Sequence, residues 1–214
     1  MSSLIFNLAP QQVIVATDTL AVTAVTEEPC YFSSKAYPLP HLNGIMCITG
    51  VDGFGLDWFE RLRRLIARDL HHADAFMGPA LRELADRHSL GPESTSTVYH
   101  LGYSQEEQQF VGYAYRSTDE FASERLQYGF SHKPGVAGAK LENYPEDIID
   151  LMEAQRRSQS AKPAEDRVYI GGDVHCYILT DRSMTIQAVH RFEDYDVHYA
   201  QMCAGLHAAG EAHA

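Results

Sequence analysis

The chain is poor in cations, has cysteines only in isolation, and contains no apolar run long enough to span a bilayer. Lys and Arg number 17 against 29 Asp and Glu, which leaves a formal net charge of −12 over 214 residues. So acidic a chain is repelled by phosphate backbones and anionic lipid surfaces, which argues against nucleic-acid and membrane partners. No stretch approaches the roughly 20 consecutive apolar residues of a spanning helix. A basic segment followed by an apolar one is missing from the N-terminus, so a secretory signal is not expected. The four cysteines, Cys30, Cys47, Cys176 and Cys203, show no C-x-x-C spacing. Neither a disulfide framework nor a zinc site is therefore expected, and a reducing cytoplasm is the expected compartment. The histidines His71, His72, His190, His198, His207 and His213 stand without H-E-x-x-H or another ligand spacing, so no metal is expected. Gly50-Val51-Asp52-Gly53-Phe54-Gly55 is glycine-rich but lacks the Lys and Ser/Thr of a phosphate loop, and no nucleotide cofactor is expected. No internal repeat is apparent.

What remains is the pattern of a compact globular chain. Its length suits one domain with a substantial core. That domain is assigned to residues 1–190, with 191–214 as a C-terminal helical segment and frayed tail. Leu4–Leu8 and Val13–Thr17 read as two short strands rich in branched and aromatic residues, joined by a turn containing Pro10. Leu20–Val25 reads as a third strand, and Gly44–Gly50 as a buried strand ending in glycine. Trp58, Phe59, Leu62, Leu65, Ile66 and Leu70 recur at three- and four-residue spacings, which predicts one amphipathic helix over 56–70. A second helix is predicted from Pro79, in its first turn, to about His88. Strands follow at 96–103 and 109–115, with a weaker one at 126–130. A helix is predicted from Glu146 through Met152, then a polar loop over 158–166 and strand-like runs over 168–174 and 175–181.

The chemistry-bearing residues stand near the N-terminus. Ser2 follows Met1, and a small second residue normally permits removal of the initiator methionine. The mature chain would then begin with a hydroxyl and a free α-amine on one residue, a complete nucleophile and base. An α-amine titrates at roughly 7.7–8.0 in model peptides, so a modest downward shift leaves it largely deprotonated at neutral pH. A nearby lysine ammonium supplies such a shift, because like charge disfavours the protonated amine.

The matching segments are Ser2-Ser3-Leu4-Ile5, Val13-Ile14-Val15-Ala16-Thr17-Asp18, Ser34-Lys35-Ala36-Tyr37 and Ile45-Met46-Cys47-Ile48-Thr49-Gly50 before a long helix. In this order they resemble the proteasome β-subunit and HslV branch of the N-terminal-nucleophile (Ntn) hydrolases. The likeness covers residues 2–70 well and the middle of the chain loosely. It implies an α+β fold, a four-layer αββα sandwich. It implies Ser2 as nucleophile, Lys35 tuning its protonation, and Asp18 holding the lysine charged and oriented. Gly50 is then the candidate for an oxyanion-hole amide, beside the plainer reading of a glycine that ends a strand. Ser131 is the only residue that could serve in the family's serine-containing segment, where the sequence departs from the Ser-Gly-Ser pattern. Asp173 is the candidate support for the amine, His175 its alternative, and Gly171-Gly172-Asp173 as an exposed turn the structural one.

The resemblance further implies a peptidase acting on peptides or unfolded chains, without a cofactor, from within a homo-oligomeric ring that an ATPase or other regulator can serve. Fold does not fix activity, because the same family contains silent subunits. A catalytically inactive structural or assembly protein and a small-molecule amidase are the alternatives.

Overall fold

The computed structural model describes residues 3–23, 26–91 and 94–211, without the side chains of 165 and 206–211. The strands are β1 (Leu4–Ala9), β2 (Gln12–Asp18), β3 (Leu20–Val22), β4 (Pro29–Phe32), β5 (Ala36–Leu39), β6 (Gly44–Thr49), β7 (Thr97–Ser104), β8 (Gln109–Arg116), β9 (Ser123–Arg125), β10 (Gly129–Lys133), β11 (Asp173–Thr180) and β12 (Met184–Arg191). The helices are α1 (Asp52–Leu62), α2 (Leu70–Arg87), α3 (Glu146–Ser160) and α4 (Tyr195–Glu211). The fold is mixed α+β. One five-stranded sheet runs in the order β10-β1-β2-β11-β12 and a second in the order β5-β6-β7-β8-β9, with β3 and β4 as a separate ribbon. All strand pairs in the described residues are antiparallel.

Period-two alternation decides where each strand points. Along β1, Leu4, Phe6 and Leu8 pack against Ile45, Cys47, Tyr99 and Leu101 of the second sheet, so one core lies between the sheets. Ile5 points the other way, with Ile14 and Ala16, onto Ile148 and Met152 of α3. On the far face of the second sheet, Phe54, Trp58 and Leu62 of α1 and Leu70, Met77 and Leu81 of α2 cover Met46, Ile48 and Tyr115. Helix α4 docks on the ribbon, where Tyr195 stacks on Phe32 with ring centroids 4.4 Å apart. The C-terminal helical segment is thus a packed element, and residues 212–214 lie outside the described residues.

Several boundaries differ from the sequence reading for identifiable reasons. The predicted helix over 56–70 is two helices with a break at 63–69. The Asp69 carboxylate accepts from the His72 N–H at 2.7 Å, an N-cap that starts α2 afresh, and its other oxygen accepts from the Gln105 N–H at 2.9 Å. Ile66, placed on the buried stripe by its spacing, is 99% exposed in that break. Pro79 lies inside α2 rather than in a first turn. The weak strand at 126–130 is the crossing between sheets: β9 ends the second sheet at Arg125 and β10 begins the edge of the first at Gly129. Residues 168–172 belong to no strand, and β12 occupies a stretch where the sequence reading placed no strand. Its mostly exposed residues carry little hydrophobic signal. Helix α3 runs on to Ser160, into the predicted loop.

His100 is fully buried on β7, where its Nε2 accepts from the Trp58 indole N–H at 3.0 Å. Burial pushes its pKa down to about 3. The unfolded chain therefore binds a proton at this site between pH 6.5 and 3 that the folded chain refuses. Stability from this group is complete above pH 6.5 and falls by about 1.4 kcal/mol per pH unit below it. Urea midpoints at pH 7.0 and 5.5 should differ in the native chain, and His100→Gln, which keeps an acceptor for Trp58, should narrow that gap. The broken helix makes a second contrast. Leu62→Ala should lower stability by about 2–5 kcal/mol, whereas Ile66→Ala should change it by less than about 0.5 kcal/mol, both read as urea midpoints at unchanged slope.

Candidate functional site

Asp18 closes β2 and is fully buried. Its Oδ1 accepts from the Lys35 ammonium at 2.8 Å and from the Ser3 backbone N–H at 3.0 Å, while Oδ2 accepts from the Gly171 N–H at 3.2 Å. Lys35, 5% exposed, donates a further bond to the Leu20 carbonyl at 2.6 Å. Both charges are thus out of water, paired, and supplied with additional hydrogen bonds. That is the condition under which a buried ion pair is tolerable, since desolvation otherwise outweighs the attraction.

The elements impose this meeting. Leu4 pairs with Thr17 across β1 and β2, so the next step along each strand brings Ser3 beside Asp18. Lys35 precedes β5 on the other sheet, held by the Ile48 N–H donating to its carbonyl at 3.2 Å. The neighbouring Ser34 hydroxyl meets the Tyr177 hydroxyl of the first sheet at 2.7 Å. Gly171 and Gly172 let the chain pass close to the end of β2. Gly172 has φ of +78°, and a Cβ there would stand 2.3 Å from Thr19 Oγ1. The Gly171 carbonyl accepts from the Thr19 and Leu20 N–H groups.

Ser3 is gripped twice. Its side chain shares the Ile5 face and donates to Gln155 Oε1 of α3 at 2.6 Å. Gln155 is fully buried, and its Nε2 donates to the Pro134 carbonyl at 2.7 Å, so one amide ties α3 to the start of β1 and the end of β10.

Of the residues singled out in the sequence, Asp18 and Lys35 are brought together. Ser2 lies outside the described residues. Gly50 follows β6 with φ of +128°, and a Cβ there would stand 2.5 Å from both Ser96 Oγ and the Thr95 carbonyl oxygen. That position requires glycine for backbone reasons alone. Ser131 is exposed on β10 opposite Phe6. Since Lys133 is opposite Leu4, Ser131 stands three residues from the level of Ser3, about 10 Å along the strand. The Asp173 carboxylate is engaged by the Arg191 guanidinium at 2.8 and 3.2 Å across the β11–β12 pair. It is the Gly171 amide, not the Asp173 carboxylate, that reaches Asp18 from this segment. His175 is directly opposite Thr17 on the next strand.

Sequence reasoning missed Ser3, Gln155, Gly171 and Lys133. The Gly-Gly pair was a legible signal for a close approach. A lone Gln in a helix and a Lys near a strand end carry none. Lys133 is half-buried and donates to Thr49 Oγ1 at 3.3 Å. Burial, and secondarily the Arg116 cation, hold its pKa below the usual lysine range.

Among the described residues no cluster of three or more His, Cys, Asp or Glu side chains could hold a metal ion. The histidines pair elsewhere, as His88 does with Asp57 at 2.8 Å and His190 with Glu153 at 3.3 Å. No helix among the described residues is long and apolar enough to cross a membrane. No protein-family model matches the chain, and comparison with curated proteins finds no match.

Removing one member of the buried pair leaves the other charge without compensation. Lys35→Met should therefore lower stability by about 3–5 kcal/mol. Adding Asp18→Asn to it should restore part of the loss, which a double-mutant cycle of urea midpoints reads directly.

Proposed function

We propose that the chain is an amide hydrolase of the N-terminal-nucleophile type, with the helix–sheet–sheet–helix layering of a proteasome-like αββα sandwich. The single observation that carries this reading is the buried Asp18–Lys35 pair whose carboxylate also holds the Ser3 N–H. A pair so placed supplies a fixed cation within one residue of the sequence position where a mature N-terminus would begin.

In this reading Met1 is removed and Ser2 becomes the N-terminal residue. Its α-amine takes the hydroxyl proton as Oγ attacks the substrate carbonyl carbon, and the carbonyl electrons pass to oxygen. The Lys35 ammonium disfavours the protonated amine before attack, so the base is free at neutral pH. Asp18 keeps that ammonium charged and aimed, and acts as a positioning residue. Backbone amides, Gly50 among them, stabilise the oxyanion, a contribution worth several kcal/mol in acyl transfer. Collapse of the tetrahedral species breaks the C–N bond, with the departing amine taking the proton from the Ser2 amine. Water then attacks the serine ester, releases the carboxylic acid and restores the hydroxyl.

The substrate class we assign is a peptide or unfolded segment, and the active form a homo-oligomer. Ser131 and Asp173 are not given a catalytic role, because Ser131 stands about 10 Å along the strand from the level of Ser3 and the Asp173 carboxylate is engaged by Arg191.

Intact-protein mass spectrometry tests the reading, with and without a serine-reactive covalent probe. The expected result is loss of Met1 and a single adduct on Ser2 that Ser2→Ala abolishes. Lys35→Met should slow adduct formation at neutral pH by at least about tenfold while higher pH partly recovers it, as expected when an amine base loses its neighbouring cation. Retained Met1 with no adduct would falsify the hydrolase and leave a catalytically silent scaffold. Turnover of small amides but not of peptides would select the amidase instead.

A further inference from the structure

The core between the sheets ends in polar groups at the level of Leu4. Leu4 belongs to that core and pairs with Lys133 on one side and Thr17 on the other. Directly paired residues share a face, so Lys133 and Thr17 look into the space between the sheets. From the second sheet, Thr49, Thr97 and Arg116 are paired in a row, two positions beyond the core residues Cys47, Tyr99 and Ala114. They face the same space.

The charges there do not balance. Arg116 is paired with Glu124. Lys133 makes one hydrogen bond, to Thr49 Oγ1 at 3.3 Å, and among the described residues it has no carboxylate partner. An ammonium carries three N–H donors, so two are left over in a half-buried setting. Thr17 Oγ1, on β2 with Leu4 of β1 between it and Lys133, is buried and has no partner among the described residues. In a chain of net charge −12, a half-buried cation with no carboxylate partner among the described residues is a place to which an anion can bind.

We propose that Lys133 receives a carboxylate of the bound peptide at the mouth between the two sheets, so that the site selects substrates with an acidic side chain or a free C-terminus near the reacting bond. This rests on the peptide-hydrolase reading for the identity of the ligand, though binding is separable from turnover. A carboxylate has two oxygens, enough for the two spare ammonium donors. Burial and Arg116 depress the Lys133 pKa in the free chain, and an arriving anion acts in the opposite direction. Lys133 is therefore a specificity residue, distinct from Lys35, whose charge Asp18 already satisfies.

The chain has four lysines, so a full-length Ser2→Ala protein labelled with [ε-13C]lysine gives four signals, and Lys133→Met identifies the one that matters. Three peptides are titrated: a capped, amidated peptide with one Glu, its Gln counterpart, and the Gln peptide with a free C-terminus. The expected result is that the Glu peptide raises the Lys133 pKa and binds roughly tenfold or more tighter than its amidated Gln counterpart. Lys133→Met should erase that preference, and Lys133→Arg should keep it, which separates lost recognition from lost folding. The same response to the free-C-terminus peptide alone assigns the carboxylate to the chain end and supports the site equally. Equal binding of the amidated Gln peptide, or no binding of any peptide, overturns the proposal. Turnover in the native chain with no preference for a carboxylate sinks this inference and leaves the hydrolase standing. Discriminating binding without turnover does the reverse.

Discussion

A carboxylate at the end of β2 that accepts one ammonium and two backbone N–H groups draws four separate segments to one point. Asp18 joins the start of β1 through Ser3, the approach to β5 through Lys35, and the approach to β11 through Gly171. Lys35 adds the start of β3 through the Leu20 carbonyl. The price of taking two charges out of water is met only because every one of these bonds is made at once. The sheets are held face to face by apolar burial, but their relative position at this edge is set by the pair.

The same edge explains why glycine occurs where it does. Gly172 passes the end of β2 at a distance no Cβ would allow, and Gly50 turns the chain out of β6 against Ser96. Both lie in backbone regions that favour glycine. A functional reading of either residue therefore has to be added to a structural one that is already sufficient. Asp173 gives the complementary lesson. Its position beside Gly172 suggests a site, yet its carboxylate closes a cross-strand pair with Arg191, and the nearby backbone does the work at Asp18.

Charge is distributed so that the chain's overall acidity and its local chemistry differ in sign. The surface carries the excess of Asp and Glu, while the space where the inter-sheet core ends carries Lys133 and Arg116 beside three threonines. Gln155 supplies the neutral counterpart on the other face. An amide can accept from Ser3 and donate toward Pro134 at the same time, which neither a carboxylate nor an ammonium could do.

The sequence by itself determined the α+β class, the strands β1, β2, β6, β7 and β8, and the candidacy of Asp18 and Lys35. The strands rest on local signals, branched and aromatic residues between turn-forming breaks, whereas the class and the two candidates rest on the ordered segments that resemble the Ntn hydrolases. It could not divide the helix at 63–69, because the apolar spacing continues through a break made by the Asp69 cap, whose second oxygen bonds Gln105 from a distant turn. Nor could it find β12, whose exposed residues leave no hydrophobic pattern, or the crossing of Leu126–Tyr128 from one sheet to the other. Only the tertiary structure placed Gln155, Gly171 and Lys133 beside the N-terminal strand. Gln155 and Gly171 are about 150 residues from their partners in the chain, and such contacts follow from which strands pair and which faces pack, not from any pattern near the residues themselves.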